Sequence, residues 1–151
     1  MTRLDRPPLI VMVDDDAEDC LLVRDALQEV GVPHQLSFFN DGEELLDYLA
    51  GLGEYGNGHA PTSPDLILLD LKMPRLGGRE TLRALRAEER WRAIPVVALT
   101  TSTAHDDIIV SYQSGANSYI TKPATFRDLV EIMRALTHYW FSIVELPPRA
   151  L

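Results

Sequence analysis

Short apolar runs alternate along the chain with longer segments whose apolar residues recur at helical spacing. Residues 9–13, 36–39, 66–69, 96–99 and 118–121 have strand length. Between them, Val23, Ala26, Leu27 and Val30 recur at i, i+3, i+4 and i+7, and Leu45, Leu46 and Leu49 behave likewise, as on a helix laid over a sheet. Runs such as LILL and VVAL are apolar on both faces, which suits central parallel strands covered on each side. Five strands alternating with five helices, joined by right-handed crossovers, predict an α/β, doubly wound parallel sheet. Helix starts are expected at Asp41, Thr103 and Thr125, each three residues before an acid, and helix stops at Gly31 and Gly115. The segment 51–64, with four Gly and two Pro, is long for such a connection, and reads as a surface insertion or a partner-contacting loop.

Composition narrows the picture only in part. The 151 residues, 46% hydrophobic and 25% charged, make one domain with a sizeable core. The formal charge of −9 repels phosphate backbones and anionic lipid, so neither direct nucleic-acid binding nor membrane association is expected. The lone Cys20 cannot close an internal disulfide and fits a buried helical position. The N-terminal apolar stretch is too short for a signal peptide or a spanning helix, and a cytoplasmic protein is expected.

The chemistry-bearing residues collect just after strand ends, where the loops of an open parallel sheet share one crevice. Asp14, Asp15 and Asp16 follow the first strand, Asp70 the third, Thr100 and Thr101 the fourth, and Lys122 and Pro123 the fifth. Asp16 reads as a helix cap and Thr101 as a turn residue. Converging carboxylates raise one another's pKa and call for a cation. Oxygen ligands from Asp15 and Asp70, with no paired His or Cys, favour Mg²⁺ or Mn²⁺ over zinc. The histidines His34, His59, His105 and His138 show no ligand spacing. A metal-bound Asp70 is a plausible phosphoryl acceptor, with the Thr100 hydroxyl and the Lys122 ammonium as donors to phosphoryl oxygens.

With VMVDDD, PDLILLDLKMP, PVVALTT and GANSYITKP in place, the chain resembles the receiver domain of two-component response regulators over residues 9–139. That resemblance implies a flavodoxin-like strand order 2-1-3-4-5, Asp70 as phosphoacceptor, Asp14 and Asp15 as the metal-organising pair, the Lys72 carbonyl as a further ligand, Thr100 and Tyr119 as switch residues, and Lys122 as phosphate partner. It also implies a cis peptide before Pro123, switching at the surface of the fourth helix, fifth strand and fifth helix, and no turnover of a separate substrate. DLKMPRLGGRE, IPVVALTTS, ANSYITKP and HYWFSIVELP are more narrowly similar to the stand-alone regulators of bacterial phytochromes, which implies a red-light-sensing histidine kinase as phosphodonor and no output domain. Thr101 is bulkier than the family's usual small residue and should narrow access to the phosphoryl group; Lys72 puts a long cationic chain two residues after the acceptor. Two other readings remain open: a haloacid-dehalogenase-like phosphatase using Asp14 of Asp14-x-Asp16, and a pseudo-receiver that binds without phosphorylation.

The expected boundaries are an N-terminal extension at 1–8, the receiver at 9–141 and a tail at 142–151. Phe126, Leu129, Val130, Met133, Leu136 and Trp140 form the expected core stripe of the last helix. Ile132, Tyr139 and Ile143 widen its apolar arc beyond what one sheet face covers. Together with Phe141, Val144 and Leu146, this surplus predicts a homodimer through Ile132, Tyr139, Trp140 and Ile143, unless the tail folds back on its own domain.

Overall fold

The computed structural model describes residues 6–53, 56 and 61–148. The strands are β1 (Leu9–Val13), β2 (Gln35–Phe39), β3 (Leu66–Leu69), β4 (Val96–Thr100) and β5 (Ser118–Thr121). They alternate with α1 (Ala17–Val30), α2 (Gly42–Ala50), α3 (Gly78–Ala87), α4 (His105–Gln113) and α5 (Phe126–His138). All strand pairs are parallel, in the order β2-β1-β3-β4-β5.

The two-residue period of the central strands sorts their side chains into two cores. Ile10, Met12, Leu66, Leu68, Val97 and Leu99 face α1 and α5, while Leu9, Val11, Val13, Ile67, Leu69 and Val96 face α2 and α3. β1, β3 and β4 are buried on both faces, which is why their sequences are continuous apolar runs. Helix α4 is packed least, with Ser111 its one buried residue and Ile109 and Tyr112 exposed.

Local signals place most helix ends. Asp16 caps α1 by accepting from the Glu18 and Asp19 amides, Asp41 caps α2 through the Glu44 amide, and Thr125 caps α5 through the Asp128 amide. Thr103 does not cap α4, whose N-cap is Ala104. The Ser102 hydroxyl, one residue earlier, accepts from the Ala104 amide and donates to the Asp107 carboxylate, so the turn is closed before Thr103 is reached. Gly31 ends α1 with φ 80°, and Gly115 follows α4 with φ 113°.

The C-terminal segment departs from the expected pattern in two places. Phe126, the first residue of α5, is exposed rather than part of the core stripe, which starts at Leu129. The helix continues past His138 into one π-type turn, Tyr139–Ile143, closed by the Val144 amide on the Tyr139 carbonyl at 3.0 Å. That wider turn sets Trp140 and Phe141 against the α1/α5 core, so Phe141 is not surplus surface and the expected boundary at residue 141 falls inside a helical turn. Tyr139 and Ile143 remain exposed, at 48% and 60%. Among the described residues no helix is long and apolar enough to cross a membrane. His59, with residues 54, 55, 57, 58 and 60 of the 51–64 segment, lies outside the described residues.

Candidate functional site

The parallel sheet delivers β1, β3, β4 and β5 to one edge, and the expected residues meet there. Asp14 directly follows β1 and Asp70 directly follows β3; both are buried, whereas Asp15 is exposed. Each of the three offers a carboxylate oxygen within 4.8 Å of the others. The Asp70 amide donates to the Val13 carbonyl at 2.9 Å, so the backbone ladder between β1 and β3 fixes their spacing. One Asp70 oxygen accepts from the Leu71 amide at 2.8 Å, and one Asp14 oxygen accepts from the Asp16 amide at 2.9 Å. The chain turns back sharply behind Asp70: a Cβ on Gly78 would lie 2.6 Å from the Asp70 carbonyl oxygen, so only glycine fits there.

Lys122 reaches this cluster from the end of β5. Its Nζ donates to Asp14 Oδ2 at 2.8 Å and to Asp19 Oδ2 at 2.6 Å, and stands 3.9 Å from Asp70 Oδ2. Burial pushes the Asp14 carboxyl above its ordinary value, with the Lys122 hydrogen bond pulling the other way. Burial works against the Lys122 charge, but the hydrogen bonds it donates to Asp14 and Asp19 outweigh it and hold the ammonium above its usual pKa. The peptide before Pro123 is trans, contrary to expectation; trans is the cheaper isomer of an X-Pro bond, and the amine already reaches its carboxylates from it.

Thr100, the last residue of β4, is fully buried, and its Oγ1 has no hydrogen-bond partner among the described residues. An unmet buried hydroxyl costs about 1–3 kcal/mol. Tyr119 on β5 is half-buried, and its hydroxyl donates to the Ser102 carbonyl at 2.8 Å, tying β5 to the loop that follows Thr100. Thr101 and the Lys72 side chain are exposed. Asp19 is the contact of Lys122 that reading the sequence missed. Its position in the first turn of α1 looks like ordinary helix-start acidity, and the partner that distinguishes it lies 103 residues away.

The edge therefore combines three clustered carboxylates, one ammonium and one unmet hydroxyl on a 2-1-3-4-5 sheet. Residues 10–134 match the model of the response regulator receiver domain, and the chain belongs to that family. It is 37% identical to the response regulator Rcp1 of Synechocystis over 141 residues, covering 93% of this chain and 94% of that protein. Its fold is similar to the phosphorylated cyanobacterial phytochrome response regulator RcpA, with TM-score 0.85 and 39% identity over 94% of this chain and 99% of the other. It is equally similar to response regulator RPA3017, which acts in red-light signalling of R. palustris, with TM-score 0.86 and 38% identity over 93% and 99% of the two chains. The protein is thus a receiver-domain response regulator related to those of phytochromes.

Proposed function

We propose that the protein accepts a phosphoryl group on Asp70 from a sensor histidine kinase, a bacterial phytochrome by its relatives, in a phosphorelay dependent on Mg²⁺ or Mn²⁺. The observation that supports this most is the buried, unpartnered Thr100 hydroxyl at the same sheet edge as Asp70 and Lys122. A phosphoryl oxygen would give that hydroxyl the acceptor it lacks. Asp14, Asp15 and Asp70, together with the Lys72 carbonyl, are the groups that would hold the cation, and the all-oxygen donor set fits a hard divalent ion. Rcp1 is known in a Mn²⁺-bound form. The bound cation would offset the repulsion between carboxylate and incoming phosphate.

In the transfer step, a carboxylate oxygen of Asp70 attacks the phosphorus of a phosphohistidine. The P–N bond breaks as the P–O bond forms, and the imidazole leaves with the electron pair. Lys122 supplies a point charge and Thr100 a hydroxyl donor to the transferred group. Asp14 suits the haloacid-dehalogenase role less well, because both of its oxygens already accept hydrogen bonds, from the Asp16 amide and from Lys122. The retention of every group named above favours phosphorylation over the pseudo-receiver reading. Signal output is assigned to the surface of α4, β5 and α5, with Tyr119 as the reporter of state, and the protein is read as a cytoplasmic homodimer with no direct nucleic-acid contact.

The test is labelling by acetyl phosphate or by a phosphorylated phytochrome kinase. Wild type should be labelled on Asp70 only in the presence of a divalent cation, and Asp70→Asn should not be labelled. Labelling of that variant at the wild-type rate would remove Asp70 from the role.

A further inference from the structure

Lys122 is held by more negative charge than a phosphate partner needs. An ammonium has three N–H bonds, and here two go to Asp14 and Asp19 at 2.8 and 2.6 Å, while Asp70 stands at 3.9 Å. Asp14 and Asp70 belong with Asp15 to the cluster on which a divalent cation would draw; Asp19 lies outside it. The shorter of the two contacts thus goes to the carboxylate that the cation leaves alone.

The freedom of Asp19 to reach Lys122 has a local origin. It is the third residue of α1, where an acid ordinarily bonds back to the N-cap amide and closes a capping box. The amide of the N-cap, Asp16, instead donates to Asp14 Oδ1 at 2.9 Å. Asp16 still caps the helix, accepting from the Asp19 amide at 3.2 Å. The Asp19 side chain is left without a local partner and crosses to the end of β5. The contact is partly buried, with the Lys122 side chain 13% and that of Asp19 29% exposed, so water screens it only in part.

We propose that Asp19 is a positioning residue that holds the Lys122 ammonium off Asp70 in the unmodified protein and competes with a phosphoryl group for it. This rests on reading Asp70 as phosphoacceptor and Lys122 as its partner. A phosphoryl oxygen on Asp70 must take the ammonium from its seat between Asp14 and Asp19 or share it with them. A cation held by the acidic cluster would draw on Asp14, which leaves Asp19 as the competitor that persists. Its carboxylate therefore lowers affinity for the phosphorylated state without touching the phosphoryl group.

The experiment is a ¹⁹F NMR titration of the full chain with beryllofluoride in excess Mg²⁺. Asp19→Asn should bind the mimic about threefold to tenfold more tightly than wild type, the range for losing a partly screened, charge-assisted contact. It should also shift the bound-fluorine resonances, because Lys122 sits closer to them. Glu18→Gln removes the same charge one residue away, from an exposed side chain, and reads out the general field. Equal affinities for the two variants, or bound-fluorine resonances unchanged in Asp19→Asn, would overturn the inference. Wild type that neither binds beryllofluoride nor is labelled at Asp70 by acetyl phosphate would reject the phosphoacceptor reading, and this inference with it.

Discussion

Cys20 lies directly behind the acidic edge, buried in the α1 face with its thiol 3.7 Å from the Asp14 carbonyl. Burial, reinforced by the nearby Asp14 and Asp19 carboxylates and opposed by Lys122, pushes its pKa from 9.0 to about 11. The folded chain therefore holds the thiol proton more tightly than the unfolded chain does. Between about pH 9 and pH 11 the native state binds more protons, so this contribution to stability is complete below pH 9 and is lost as pH rises through 11. Two pKa units correspond to about 2–3 kcal/mol. Urea unfolding of wild type and Cys20→Ala should show the wild-type advantage shrinking by about that amount across the window; a constant difference would exclude the linkage. That Cys20 is buried was legible from its place in the helical pattern. The charges around it were not, because Asp14, Asp19 and Lys122 assemble only when α1, β1 and β5 meet.

At the scale of elements, the central strands β1, β3 and β4 read well because burial on both faces leaves a continuous apolar signature, and β2 and β4 gained only one terminal residue each, Gln35 and Thr100. The β3–α3 connection was opaque for the opposite reason: long-range partners fix its shape. Arg75 there adopts φ 61°, a left-handed backbone that a non-glycine residue avoids. Its guanidinium holds the buried Asp41 carboxylate through Nε at 2.7 Å, and the Gly42 amide donates to the Leu76 carbonyl at 3.3 Å. The cap of α2 thus clamps the loop that presents Lys72. Arg75→Gly loses the ion pair but relieves the backbone, whereas Arg75→Ala loses the pair and keeps the strain. Urea unfolding free energies should therefore rank wild type above Arg75→Gly and Arg75→Gly above Arg75→Ala, the last two separated by about 1 kcal/mol; the reverse order would show that the left-handed turn relaxes once the ion pair is gone. The loop after β4 has its own link, the Tyr119 hydroxyl on Ser102. If Thr100 transmits the phosphoryl signal to it, beryllofluoride should shift the Tyr119 ring resonances in wild type and leave them unmoved in Thr100→Ala. Shifts that persist undiminished in that variant would route the coupling elsewhere.

On the scale of the whole molecule, the amphipathic count along α5 promised more exposed apolar surface than the fold leaves. The π-type turn after His138, which no periodicity announces, rotates Trp140 and Phe141 onto the α1/α5 core, and Ile132 is half-buried against the same core. Of the four residues expected at an interface, Tyr139 and Ile143 are the ones that stay exposed, with Tyr139 stacked edge-on against Trp140 at 5.2 Å. An aromatic ring braced by a second ring loses little side-chain freedom on contact, which makes it a good anchor for a buried interface. A two-fold axis would set the same pair from each chain face to face and close the assembly at two copies. At −9 per chain two copies repel at long range, so association by an apolar centre should strengthen as salt screens the charge. Sedimentation equilibrium at micromolar concentration should give twice the 16.9 kDa chain mass, more completely at high salt than at low. Tyr139→Glu combined with Ile143→Glu should return it to one chain mass while the far-ultraviolet circular dichroism stays unchanged. Wild type that sediments as a monomer at both salt concentrations, with and without beryllofluoride, would reject the dimer and leave Tyr139 and Ile143 as a surface for the kinase.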